Sequence, residues 1–158
     1  MRLRNDRHEC EQLWARHKYL VLSHSAVIYK EIREYLKQDT VFVEDIRHYI
    51  EQAVALPESR GQVINAFQHV WGYFKKKTSQ KEREDFMYLL SRYEYGKIPQ
   101  EQLILAVRNL LENYPNPYLQ NSSLLYGGIL CKKSRIIFKN INYFLQIFRK
   151  MIACEKTC

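Results

Sequence analysis

Apolar residues recur along this chain at three- and four-residue spacing, the period of an α-helix with one buried face. No segment alternates convincingly with the period of two that marks a β-strand. The pattern predicts an all-α compact bundle of about six amphipathic helices joined by short turns. The first spans about residues 7–22, with Leu13, Trp14 and Val21 among its apolar positions. Ser23 to Ser25 break that pattern. Ser25 suits the N-cap of a second helix bearing Ile28, Ile32, Tyr35 and Leu36. A third follows Asp39-Thr40, with Phe42, Ile46, Tyr49, Ile50 and Ala53 in one stripe, and Leu56-Pro57 ends it.

The fourth helix is expected from about Ser59 to Lys77, with Val63, Phe67, Val70 and Phe74 on one face. Lys75, Lys76 and Lys77 would fill its last turn, where positive charge complements the helix dipole. Ser79-x-x-Glu82 has the form of a capping box that starts helix five, which carries Phe86, Leu89, Leu90 and Tyr93. Gly96 suits the position just past its end. Pro99 opens helix six, which carries Leu103, Val107, Leu110, Leu111 and Tyr114 before Pro115 and Pro117 stop it. The chain thus divides into a helical domain over 1–120 and a tail over 121–158 of different character. In the tail, Ile137, Ile141, Phe144, Leu145, Phe148 and Ile152 lie opposite Lys139, Gln146, Arg149 and Lys150. That is the pattern of a further, basic amphipathic helix, which could rest on the bundle, a partner or a membrane surface.

Charge changes this picture more than bulk composition does. The net charge of +8 is not spread evenly. Residues 1–122 carry 18 Lys+Arg against 16 Asp+Glu, whereas 123–158 carry 7 basic residues and only Glu155 as an acid. An anionic partner for the helical domain must therefore be met by local clusters. With 46% hydrophobic residues the 158-residue chain can build a real core. No run approaches a membrane span, and the N-terminus lacks the apolar segment of a secretory signal, so a cytoplasmic location is expected. Cys10, Cys131, Cys154 and Cys158 form no C-x-x-C pair. A zinc site with His8 has no supporting spacing, so reduced thiols and neither metal nor cofactor are expected.

Two segments hold the candidate chemistry. HKYLVLSHSAVIY, from His17 to Tyr29, gathers His17, Lys18, Ser23, His24, Ser25 and Tyr29. NAFQHVWGYFKKK, from Asn65 to Lys77, sets Asn65, His69, Gly72 and Lys76 at i, i+4, i+7 and i+11, with Tyr73 alongside. A glycine inside a helix costs about 1 kcal/mol relative to alanine, so Gly72 suggests a close approach there, by a ligand or by a second helix. Ser23-His24-Ser25 at a helix start could hold an anion through free N–H groups, although plain N-capping explains it as well. His17-Lys18-Tyr19, Tyr73-Phe74-Lys75-Lys76-Lys77 and Arg92-Tyr93-Glu94-Tyr95 interleave cations with aromatics. Such sets stack bases and neutralise phosphates, or else divide into core rings and a solvated helix end.

Enzyme signatures are missing. There is no G-x-S-x-G elbow, H-E-x-x-H, P-loop or G-x-G-x-x-G. A small nucleotide-directed enzyme would have to use His24 and His69 as acid and base, and would need both in one pocket.

HKYLVLSHSAVIY, NAFQHVWGYFKK and SRYEYGKIPQEQLILAVRNLLENYPNPYLQ, in that order over about residues 10–120, resemble the signature blocks of the YbgA-like domain family. That family is one of unknown function, found alone or fused behind a cysteine-rich iron–sulfur domain of the thiouracil desulfidase type. The resemblance implies a domain that holds tRNA while the fused partner removes sulfur from thiouracil or 4-thiouridine. It carries over His17, Lys18, Ser23, His24, Ser25 and Tyr29, then Asn65, His69, Gly72, Tyr73 and Lys75. It also carries over Arg92, Tyr93, Gly96, Pro99, Arg108, Tyr114 and Pro115. Two departures stand out. This sequence has no desulfidase domain, so it should not desulfurise anything unaided. The family's aromatic- and proline-bearing end is replaced after Gln120 by the Lys/Ile/Phe-rich tail, a lineage-specific helix or the product of a frame change.

The expectation is a non-catalytic module that binds tRNA or another structured RNA. Lys18, Lys75, Lys76, Arg92 and Arg108 would meet phosphates, and Tyr73 and His24 a base or sugar. The alternatives are the His24/His69 enzyme and a protein-interaction module docking a separate iron–sulfur desulfidase through the tail.

Overall fold

The computed structural model describes residues 6–127. Among them are eight helices and no strand, and they build an all-α bundle. The helices are α1 (Arg7–His24), α2 (Ala26–Tyr35), α3 (Val43–Ala55), α4 (Arg60–Trp71), α5 (Gln80–Glu94) and α6 (Gln100–Asn113), followed by the single turns α7 (Pro117–Gln120) and α8 (Ser123–Tyr126). The basic amphipathic helix expected in the tail lies outside the described residues.

Helix α1 organises the bundle because both of its sides are apolar. Cys10 and Val21 join Ile32, Val41, Ile46 and Ala53 in a small core shared with α2 and α3. Tyr19 and Leu22 point into a larger core with Phe67 and Val70 of α4, Phe86 and Leu90 of α5, and Leu103 and Val107 of α6. A helix with two buried sides shows no single apolar stripe, which is why its sequence pattern is weak. The small core is closed by polar ties. Arg7 donates to the carbonyls of Leu36 (3.0 Å) and Gln38, and the Tyr35 hydroxyl donates to Asp45 while accepting from the Phe42 N–H at 2.9 Å.

Helix boundaries follow local chemistry. Ser25 is extended and its hydroxyl accepts from the Ile28 N–H at 3.1 Å, so it caps α2 as expected. The capping box of α5 is complete: the Glu82 N–H meets the Ser79 hydroxyl at 3.2 Å, and the Ser79 N–H meets the Glu82 carboxylate at 2.8 Å. Gly96 takes φ +69° after α5, and the Lys97 N–H donates to the Arg92 carbonyl at 2.8 Å, a glycine-dependent helix end. The Arg60 guanidinium lies 3.3 Å from where a side chain on Gly96 would begin, and it donates to the Tyr93 carbonyl at 2.8 Å.

Two expectations need correction. Helix α4 ends at Trp71, not at Lys77. Beyond it the chain tightens into successive turns, with the Tyr73 N–H on the Val70 carbonyl and the Phe74 N–H on the Trp71 carbonyl. Phe74 is still buried, which is how it imitated another helical turn in the sequence. Gly72 is therefore a C-cap in ordinary right-handed geometry rather than an interior residue. A side chain there would meet only the His69 carbonyl, at 3.0 Å, so no second element approaches it. The stripe Asn65, His69, Gly72, Lys76 breaks at that point. Helix α6 ends at Asn113, ahead of Pro115 and Pro117 as expected, and Pro117 also starts α7, with Asn116 capping the Tyr118 and Leu119 N–H groups.

The capping box also makes stability depend on pH. Hydrogen bonds from the Ser79 N–H and hydroxyl, with a further one from Tyr114, hold the Glu82 carboxyl below the usual carboxylate range. A folded-state pKa below the unfolded one stabilises above the ordinary glutamate value and is lost as pH falls through the lower, folded value. Melting curves taken from neutral pH into the acid range should therefore fall more steeply for the wild type than for Ser79→Ala. Parallel curves would contradict this.

Candidate nucleic-acid interface

The two sequence clusters meet. Tyr19 of α1 is buried, and its hydroxyl donates to the Tyr73 hydroxyl at 3.1 Å, just past the end of α4. The two rings stand edge-on, with centroids 6.5 Å apart and planes at 87°. Tyr73 stacks in turn on Tyr118 of α7, at 6.0 Å and 21°. The Lys18 ammonium lies 4.7 Å from the Tyr118 ring centroid and 4.8 Å from that of Tyr19. Cation–π contact thus orders a side chain that would otherwise sample many rotamers. Lys75, Lys76 and Lys77 follow Tyr73 on the exposed turn.

Burial sets the electrostatics of this group. It pushes the Tyr19 phenol far above its ordinary range, reinforced by the hydrogen bond to Tyr73, so Tyr19 remains a neutral donor. A buried hydroxyl must spend its proton on a partner, and here that partner is Tyr73. Tyr73 accepts from inside and keeps its own proton to donate elsewhere. Tyr73 as a whole is 36% exposed. The arrangement presents an ammonium, an aromatic stack and a hydroxyl donor together, with three more lysines beside them.

The other candidates are placed differently. Ser23 is fully buried and donates to the Leu20 carbonyl at 2.7 Å. His24 belongs to the last turn of α1, and its Nδ1 lies 2.8 Å from the Leu56 carbonyl oxygen while its Nε2 lies 3.6 Å from Glu58. With the Ser25 hydroxyl capping α2, the three side chains of Ser23-His24-Ser25 are committed to neighbours within the protein. His17 is half-buried. Burial and the charge of Arg16 lower its pKa, which favours the neutral ring, and its Nδ1 is buried without a partner. Tyr29 packs against Trp14 at 5.1 Å, with the Arg33 guanidinium 5.9 Å from its ring.

Asn65 is half-buried on α4, and His69 is exposed in the last turn of that helix. His69 and His24 share no hydrogen bond. Arg92 lies 5.7 Å over the Tyr88 ring and donates to its hydroxyl at 3.0 Å, on α5. Arg108 is half-buried, and both Nε (2.8 Å) and Nη2 donate to the Leu125 carbonyl, with the guanidinium 4.8 Å from the Tyr126 ring. That geometry makes Arg108 the clamp that holds α8 on α6. Arg108→Ala should cost about 1.5–3 kcal/mol of folding stability, the range for hydrogen bonds to a charged donor. RNA titrations corrected for folded fraction should then change little. A loss of binding as large as that of a lysine reversal at Lys75 would show that the guanidinium contacts ligand instead.

Tyr19 and Tyr118 join this group of side chains without being among the candidates read from the sequence. Tyr19 was in view, inside the run His17-Lys18-Tyr19. Tyr118 stands in the third block but gives no periodic signal, because the helix that carries it is a single turn and its contacts are tertiary.

Among the described residues no group of His, Cys, Asp and Glu is placed to hold a metal ion, and no helix is long and apolar enough to cross a membrane. Comparison with curated proteins finds no match, and comparison with solved structures finds none. A family model described as "Protein of unknown function (DUF1722)" matches residues 18–127, a span that includes Lys18, Tyr19, Tyr73, Tyr118 and the lysine turn. The chain belongs to this DUF1722 family.

Proposed function

We propose that this protein is a non-catalytic RNA-binding module, with tRNA or another structured RNA as its ligand. The observation that carries the reading is the junction of the two clusters. Lys18, Tyr73 and Tyr118 come together from α1, the turn after α4, and α7, with Lys75, Lys76 and Lys77 adjoining. Lysines supply the salt-dependent attraction to phosphates, and tyrosines supply faces for bases. The charge balance fits a local interface rather than a uniformly basic surface, because residues 1–122 are nearly neutral overall. The resemblance to the YbgA-like domain points the same way. On that resemblance, the module would present thiolated RNA to a separate iron–sulfur desulfidase rather than act on it.

A tRNA gel shift over a range of salt concentrations tests the proposal. Binding at low salt should weaken linearly in log affinity against log salt, with a slope that counts the phosphates neutralised. Absence of binding at low salt, or binding without a salt slope, would sink it.

A further inference from the structure

We infer that the tyrosine stack receives one unpaired nucleobase on Tyr73, so the site selects single-stranded or looped nucleotides over continuous duplex. This rests on the RNA-binding reading and adds the form of RNA that the site takes. The Tyr118 ring already stacks on Tyr73 at 6.0 Å and has the Lys18 ammonium 4.7 Å from its centroid. Tyr19 is buried and meets Tyr73 edge-on, hydroxyl to hydroxyl. Tyr73 is the member of the stack with the greatest access to solvent, at 36%.

A base laid on Tyr73 would extend the pair to three layers. Its carbonyl or a neighbouring phosphate would receive the proton that Tyr73 retains. The flanking phosphates would fall to the exposed Lys75–Lys77 turn that follows Tyr73. Bases inside a duplex cannot use such a platform, because both of their faces are covered by neighbouring pairs. Stacking on an aromatic side chain tolerates any base identity, so the selection is for unpaired structure rather than for sequence.

The test uses the full chain and two RNA hairpins that differ only in the position of a 2-aminopurine, in the loop or in the stem, together with a blunt duplex. Binding should quench the loop fluorophore and leave the stem fluorophore unchanged. Tyr73→Leu should weaken loop-hairpin binding roughly 5- to 150-fold, the range for loss of one stacked base. Its effect on the weaker duplex binding should be smaller, so that the preference for hairpin over duplex narrows. Tyr73→Trp, which keeps a stacking face, should restore loop binding to within about twofold of the wild type. Should Tyr73→Leu fail to fold, the wild-type quenching pattern decides alone. Equal affinity for hairpin and duplex, with no quenching and no effect of Tyr73→Leu, would overturn the stacking site. If Lys75→Glu with Lys76→Glu still weakened both RNAs, the RNA-binding reading would survive that result. No binding of any of these RNAs would overturn both.

Discussion

Phe67→Ala is expected to remove about 3–5 kcal/mol of folding free energy, the usual cost of emptying a fully buried phenylalanine site. Phe67 has no solvent exposure and belongs to the larger core, where α1, α4, α5 and α6 converge. Domains of this size are stable by only about 5–15 kcal/mol, so the loss takes a large share of the total. The cavity has little chance to close, because the neighbouring Val63, Val70 and Leu103 are fixed in rigid helices. Chemical denaturation followed by circular dichroism should show a lower midpoint with a near-unchanged slope. Val27→Ala serves as the control: Val27 is 66% exposed, and its truncation should move the midpoint little. If the two variants behaved alike, the assignment of the core would be in error.

The second large effect falls on binding. Lys75→Glu combined with Lys76→Glu should weaken RNA affinity roughly 10- to 100-fold at low salt and reduce the salt slope by about two. Both lysines are exposed on the turn after α4, so the fold should survive the change, which a melting curve checks. Their contacts would be to the phosphate backbone, so tRNAs of different sequence should lose affinity alike. Loss confined to one tRNA would mean that these lysines read bases. No loss at all would remove the lysine turn from the interface.

These two predictions draw on different parts of the sequence, and the parts were not equally legible. Phe67 could be read directly, because Val63, Phe67 and Val70 repeat at helical spacing and Ser59 marks the start. Ser25, the Ser79/Glu82 box and Gly96 were equally plain, since each acts through a hydrogen bond or a backbone angle within its own turn. The end of α4 was not plain. Phe74 stays in the core through tightened turns, so the apolar period outlasts the helix. Helices α7 and α8 were invisible to periodicity because each is a single turn, yet Leu119, Leu124 and Leu125 complete the larger core.

The candidate site divides in the same way. Residue type pointed to Lys18, Tyr73, Lys75 and Lys76. It pointed as strongly to Ser23, His24 and Arg108, and residue type cannot reveal that a side chain is already engaged. Ser23 is bonded to Leu20, His24 lies against Leu56, and Arg108 holds Leu125. Tyr118 shows the opposite failure. It stands in the YPNPYLQ end of the third block, but only the folding of α7 beside α1 and the turn after α4 sets its ring on Tyr73 and near Lys18.

The central claim is that RNA docks where the first two clusters meet. Photocrosslinking with tRNA that carries 5-bromouridine, followed by peptide mapping, tests it most directly. The account predicts adducts on the peptides that contain Tyr73 or Tyr118, lost in Tyr73→Leu and suppressed by high salt. Adducts confined to other peptides, or none at an RNA concentration that saturates a gel shift, would contradict it.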